Sequence, residues 1–201
     1  MPDELTAKLV VMDTGPLITL AAAGNLDYLL RPGVPVYIPD AVLYEATRDG
    51  GAFGAPEILA WTQAHEDGIR TVSTETFFNY VENRRLREYW RERDLGERAA
   101  LEAIHDAIHL SREERAVLIT EDDRVLRRVL VTEAELTARI IPVTTRDFLV
   151  ALEEAGWINS VDEVYRRAED VGRLASRRTV LKDQHEQALK AVALMMRRDL
   201  K

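Results

Sequence analysis

The sequence predicts an α/β fold: a parallel sheet covered by helices, followed by a helical extension. Two observations carry this. Short apolar runs, "LVVM" (9–12), "VYIP" (36–39), "IRTVS" (69–73), "AVLIT" (116–120) and "RIIPV" (139–143), alternate with stretches of helical periodicity, the pattern of parallel strands joined by crossover helices. After about residue 144 the strand signal stops, and only helical patterns continue to Lys201.

Taken in order, 8–12 is the first strand. Pro16 suits the first turn of a helix to about Ala23, because its missing N–H is not needed there. "DYLLRPGVP" holds a short helix and a break before the second strand. Asp40 is placed to cap "AVLYEATR". "GGAFGAP" is a flexible loop, and Pro56 opens the helix "EILAWTQAHE" before the third strand. Residues 75–92 read as a charged helix, 96–110 as another, and 123–131 as the helix after the fourth strand. Thr144 can cap "RDFLVALEEAG", with Gly156 ending it. Ser160 and Glu163 have the spacing of a capping box. Helices are expected over about 161–171 and 173–199. The last has Leu181, Ala188, Val192 and Met195 on one narrow stripe, as expected of a helix packed on the body or on a second copy. The expected division is a domain over 1–156 and a basic helical extension over 157–201.

Composition narrows the function. Hydrophobic residues make up 46% and charged residues 31%, which is globular rather than disordered. There is no cysteine, so thiolate catalysis and cysteine zinc sites are excluded. No apolar run approaches ~18 residues, and a cytoplasmic protein with no membrane contact is expected. The net charge is -8, unevenly spread: +5 over 166–201 and -13 over 1–165. So acidic a body repels a polyanion unless bound cations change the local sign.

The acids themselves are unusually placed. Asp13 ends the first core strand, and Asp122 follows the fourth in the matching position ("LVVM-D", "VLITE-D-D"). In an open parallel sheet, ligands bind off the carboxyl ends of the strands. Glu97 heads the apolar stripe Ala100, Leu101, Ile104 and Ile108. Glu45 shares a helix side with Ala41 and Val42. Each also has a structural explanation: the aspartates as N-caps, Asp94 with Glu97 as a capping box, Glu45 as a solvated helix acid. Gathered in one crevice, however, carboxylates ~4 Å apart repel by about 4 kcal/mol at an effective dielectric of 20. A divalent cation with oxygen ligands resolves that repulsion. It would also attract a phosphodiester and lower the pKa of a bound water able to attack it.

With these residues in view, the sequence resembles PIN domains, in particular the toxin-like ribonucleases of bacterial toxin–antitoxin systems. The resemblance rests on "VVMDTGPLITLA" with Asp13, "YIPDAVLYEAT" with Glu45, "DLGERAALEAI" with Glu97 and "VLITEDDRVLRRV" with Asp122. It covers roughly 8–155, including "TTRDFLVALEEAGWI". It implies a PIN-type three-layer α/β/α fold with a central, mostly parallel sheet, and Mg²⁺- or Mn²⁺-dependent cleavage of RNA. It also implies a homodimer and a neighbouring antitoxin protein. By motif position, Asp13, Glu97 and Asp122 would hold the metal, and Glu45 would position it or the attacking water. Asp123 and Asp94 are accessory acids. Thr14 and Thr120 flank the site, either as hydrogen-bond donors or as turn residues. The basic tail beyond about residue 160 departs from the minimal domain. It motivates an alternative: a catalytically silent PIN-fold binding or regulatory module working through that tail.

Other signals carry less. His105 and His109 have metal-capable spacing but no third soft ligand nearby. "RRLREYWRERD" suits an amphipathic helix better than an RNA-gripping surface. A receiver domain needs a lysine after a late strand, which "RIIPVTTRD" lacks, and no P-loop "GxxxxGK" is present.

Overall fold

In the computed structural model of the chain the described residues are 6–11, 13–92, 94–107, 114–121, 140–177, 179 and 190. Strands β1 (Thr6–Val11), β2 (Val36–Pro39), β3 (Ile69–Val72), β4 (Glu114–Ile119) and β5 (Ile140–Val143) lie close to the five apolar runs. They form one sheet in the order β3-β2-β1-β4-β5, with every pairing parallel. The chain winds outward from β1 to β3, then crosses back to place β4 against β1. That reversal leaves a crevice beyond the carboxyl ends of β1 and β4, where open α/β sheets bind ligands.

The helices among the described residues are α1 (Thr14–Ala22), α2 (Asp40–Thr47), α3 (Ala55–Ala64), α4 (Glu75–Leu86), α5 (Leu95–Glu102), α6 (Thr145–Glu154) and α7 (Val161–Asp170), with a 3₁₀ turn at Leu26–Leu30. Alternation along the strands assigns them to layers. Leu9, Val11, Val117 and Ile119 face a core shared with Leu17 and Leu20 of α1, Ile58 of α3, Phe148 and Leu152 of α6, and Val164 and Tyr165 of α7. Val10, Ala116 and Leu118 face the opposite side, against Ala100 and Ile104. The result is three-layer α/β/α. A third cluster, with Ala41, Tyr80, Leu95 and Ala99, joins α2, α4 and α5 beside the crevice.

Local chemistry fixes the junctions. Asp40 begins α2 rather than capping it: Pro39 holds the cap position. The Asp40 carboxylate accepts from Ala41 N and from both Thr74 N and Thr74 Oγ1 (2.8, 2.9 and 2.7 Å), tying α2 to the start of α4. Glu102 accepts from Glu75 N and Thr76 N at the head of α4, where the helix dipole favours an anion. Gly54 stands at φ 77 before α3, and a Cβ there would meet the Ala21 Cβ at 2.8 Å. Thr144 and Asp147 form a full capping box on α6. Among the described residues no helix is long and apolar enough to cross a membrane.

Several expectations need correction. The helix expected over 75–92 stops at Leu86. Beyond it the chain turns so that Trp90 can pack beside Tyr80 and Leu95, and a straight continuation would carry Trp90 away from them. Of the helix expected over 96–110, Leu95–Glu102 is α-helical and Ala103–Ala107 is a π turn, while 108–110 lie outside the described residues. His105 is exposed, and His109 lies outside the described residues. Residues 173–177, expected to begin the last helix, are not helical. Gly172 at φ 90 ends α7, with Arg173 N donating to Ala168 O. The apolar stripe from Leu181 to Met195 and the helix expected at 123–131 lie outside the described residues. Ser160 Oγ does accept from Glu163 N (3.3 Å). The Glu163 carboxylate binds Arg166 and Arg167, which hold it down at about 2.

Helix α7 falls in the stretch assigned by composition to the extension. It contributes Val161, Val164, Tyr165 and Ala168 to the main core, so packing continues past residue 156.

The α6 capping box gives a stability prediction. Asp147 is fully buried and accepts from Thr144 N (3.1 Å) and Thr144 Oγ1 (2.7 Å). Asp147→Ala leaves both donors without this acceptor, and the expected loss is about 2 kcal/mol. Urea denaturation checks it; a loss below about 0.5 kcal/mol would mean that the cap contributes little.

Candidate active site

Asp13 follows β1 and caps α1. Its Oδ1 accepts from Gly15 N at 2.7 Å. Its Oδ2 accepts from Thr120 Oγ1 (2.6 Å) and Glu121 N (2.5 Å). One carboxylate therefore ties the end of β1 to the end of β4. A buried strand can end in an acid because three donors replace its lost water, two of them backbone amides.

Strand register brings Glu121 of "TEDD" to Asp13. Val11 pairs with Ile119, so two residues on Asp13 stands across from Glu121. A Cβ on Gly15 would lie 2.8 Å from Glu121 Oε2 and 2.9 Å from Asp13 Oδ1, so the two carboxylates converge over that glycine. Glu121 was not among the acids singled out from sequence; its signal would have been the strand register, which a single sequence does not display. Burial raises its pKa first, the Thr145 hydroxyl at 2.6 Å opposes this, the Asp13 charge adds to it, and Arg173 opposes it again. Asp122 and Asp123 lie outside the described residues.

The remaining acids enter from the α2/α5 side. A cleft of about 240 Å³ is lined by Asp13, Thr14, Glu45, Asp94, Leu95, Gly96 and Glu97. Four carboxylates singled out from sequence thus share one small crevice at the carboxyl edge of the sheet. The Asp94 side chain makes no cap bond to α5, and the residue adopts φ 54, a left-handed conformation that Asp tolerates better than most residues. Glu45 approaches Gly96 closely, since a Cβ there would stand 2.7 Å from Glu45 Oε2. Burial raises the Glu45 pKa, Arg48 and the Gly96 backbone amide oppose this, and Asp94 adds to it.

Hard carboxylate oxygens with little else in the crevice suit a hard divalent cation that keeps several waters. The donor chemistry fits such an ion. Among the described residues, no group of three or more His, Asp or Glu side chains stands close enough to hold one without movement.

The raised pKa values set a pH dependence. Above the ordinary carboxylate value of 4.5 and below its raised value, folded Glu121 holds a proton that the unfolded chain has released. Its contribution to stability is therefore full below 4.5 and is lost as pH rises through the folded value. With a chelator present, Glu121→Gln should melt above the parent at neutral pH, the gap closing as pH falls toward 4.5. Parallel melting curves across that range would contradict it.

A parallel, helix-covered sheet with acids gathered beyond its switch point defines an α/β domain whose working end is acidic. The chain belongs to the PIN-domain family: a PIN-domain family profile matches residues 9–180. The PIN fold is a nuclease fold, and the matched span takes in the second half of β1, the acidic crevice and α7. Comparison with curated proteins and with solved structures gives no match.

Proposed function

We propose that the protein is a metal-dependent endoribonuclease, the toxin of a toxin–antitoxin pair, acting with Mg²⁺ or Mn²⁺. The observation that carries this reading is the meeting of Asp13, Glu45, Asp94 and Glu97 in one cleft at the carboxyl ends of the strands. Asp13, Glu97 and Asp122 would hold the cation, with Glu45 positioning it or the water. When bound, the cation supplies charge neutralisation at the phosphodiester and a water of lowered pKa.

The chain's own residues have separable tasks. Thr120 Oγ1 and the Gly15 and Glu121 amides fix the Asp13 carboxylate, so it need not reorganise on binding. Gly96 leaves room for the Glu45 carboxylate and donates its amide to it. Glu45 and Glu121 are each disposed by burial to hold a proton, which a cation would displace. A homodimer and a cognate antitoxin partner are part of the same proposal, by resemblance to the toxin-like subgroup.

The test is direct. Purified protein should cleave single-stranded RNA internally with Mn²⁺ or Mg²⁺ and stop with EDTA. Calorimetry should show Mn²⁺ binding that is lost in a Glu97→Gln variant. No divalent-ion binding, with tail-dependent association to RNA or protein, would instead favour the silent regulatory module.

A further inference from the structure

A second groove, of about 560 Å³, adjoins the acidic cleft and shares Glu45 and Leu95 with it. Its walls carry Arg48 from the end of α2, Arg84 from α4 and Arg91 from the connection to α5, with the rings of Tyr44 and Tyr80. Three separate segments thus bring arginines to one groove in a body whose first 165 residues carry -13. The acids beside them have other engagements. Glu92 is ion-paired with Arg98. Asp49 accepts from Gly51 N in its own loop. Glu45 also lines the cleft. Arg84 reaches the Tyr80 hydroxyl at 3.4 Å, a long bond that a phosphate oxygen would better.

Aromatic surface accompanies the charge. The Tyr44 ring stands 5.1 Å from Phe77 and 5.8 Å from Tyr80, tilted in both cases, with Arg48 5.9 Å over it. The connection that carries Arg91 also holds Tyr89, 88% exposed. The break in the expected helix at Leu86 is what delivers Arg91 to this groove. Arginines that follow a backbone, interleaved with aromatic faces for unstacked bases, are the chemistry of single-strand recognition.

We infer that single-stranded RNA leaves the carboxylate cleft past Glu45 and lies in this groove, its phosphates held by Arg48, Arg84 and Arg91. The inference rests on the ribonuclease reading and adds the path of the strand. A protein partner is the competing occupant.

The experiment uses the full chain and a fluorescent single-stranded RNA, read by anisotropy in EDTA and again in Ca²⁺ at two salt concentrations. Arg84→Ala and Arg91→Ala are the variants, because Arg48 also acts on Glu45. Arg166→Ala, on the exposed face of α7, is the control. Each groove variant should weaken binding about fivefold or more at low salt and lower the salt slope by about 0.7, one phosphate contact on a single strand; the control should match the parent. Groove variants that bind as the parent does, a loss no larger than the control's, or a parent that binds no RNA would each overturn the inference. Tight RNA binding through the groove without cleavage would leave it standing and remove the nuclease reading. Cleavage with unaffected groove variants would do the reverse and leave the groove to a protein.

Discussion

Asp13→Asn should abolish metal-dependent RNA cleavage, by at least about 100-fold, and should also measurably destabilise the protein. The two effects share a cause. Oδ1 caps α1 through Gly15 N, while Oδ2 takes Thr120 Oγ1 and Glu121 N. An asparagine can keep one oxygen toward one side only. Its amide N–H₂ then faces either the Gly15 amide or the Glu121 amide, donor against donor. Losing one charge-assisted bond and facing a donor should cost about 2 kcal/mol, or roughly 4–8 °C in Tm for a chain of this size. Thermal melting and a cleavage assay on the same preparation read both. The variant must be assayed below its own midpoint, so that lost activity is not mistaken for lost fold. A folded, fully active variant would sink the site assignment. A variant inactive but as stable as the parent would mean that the β1–β4 tie holds without this carboxylate.

The second large effect separates activity from stability in the other direction. Gly96 lies in the first turn of α5, where alanine is ordinarily the better helix former by up to about 1 kcal/mol. A Cβ there would approach Glu45 Oε2 at 2.7 Å, while its next neighbours, Glu45 Cδ and Val42 Cγ2, stand at 3.6 Å. The side-chain end moves at little cost, so Gly96→Ala should leave stability unchanged or slightly raised. The displaced carboxylate should lower cleavage by about 10-fold or more, since misplacement by an ångström costs that much or more at a reacting centre. Denaturation and initial rates on matched samples check this, with Glu45→Gln as the reference for loss of the carboxylate charge. Undiminished cleavage would mean that Glu45 takes no part in the chemistry.

Both variants turn on features of unequal legibility. Asp13 was conspicuous in the sequence because an acid at the end of an apolar strand contradicts the local pattern. Most of the strands were legible for a related reason: a strand buried on both faces is a short continuous apolar run bounded by turn signals, whereas β3, with Arg70 and Thr71 exposed, was carried by its β-branched residues and its place between helices. Glu45 and Glu97 could be placed on helix faces by periodicity. Their convergence could not, because it depends on how α2 and α5 pack around Tyr80 and Leu95. The helix expected to run to residue 92 failed because helical propensity in "RRLREYW" competes with burial of Trp90, and the competing surface is made of residues distant in sequence.

By itself the sequence determined the class of fold, the order of the described strands and helices along the chain, and the acid Asp13 just after the first strand, since these follow from local hydrophobic period and turn chemistry. Tertiary structure alone decided that Glu121 stands opposite Asp13, that α7 completes the main core and that arginines from three segments line one groove. Each of these is a relation between segments far apart along the chain. Strand register and helix packing set them, and neither leaves a periodic trace in a single sequence.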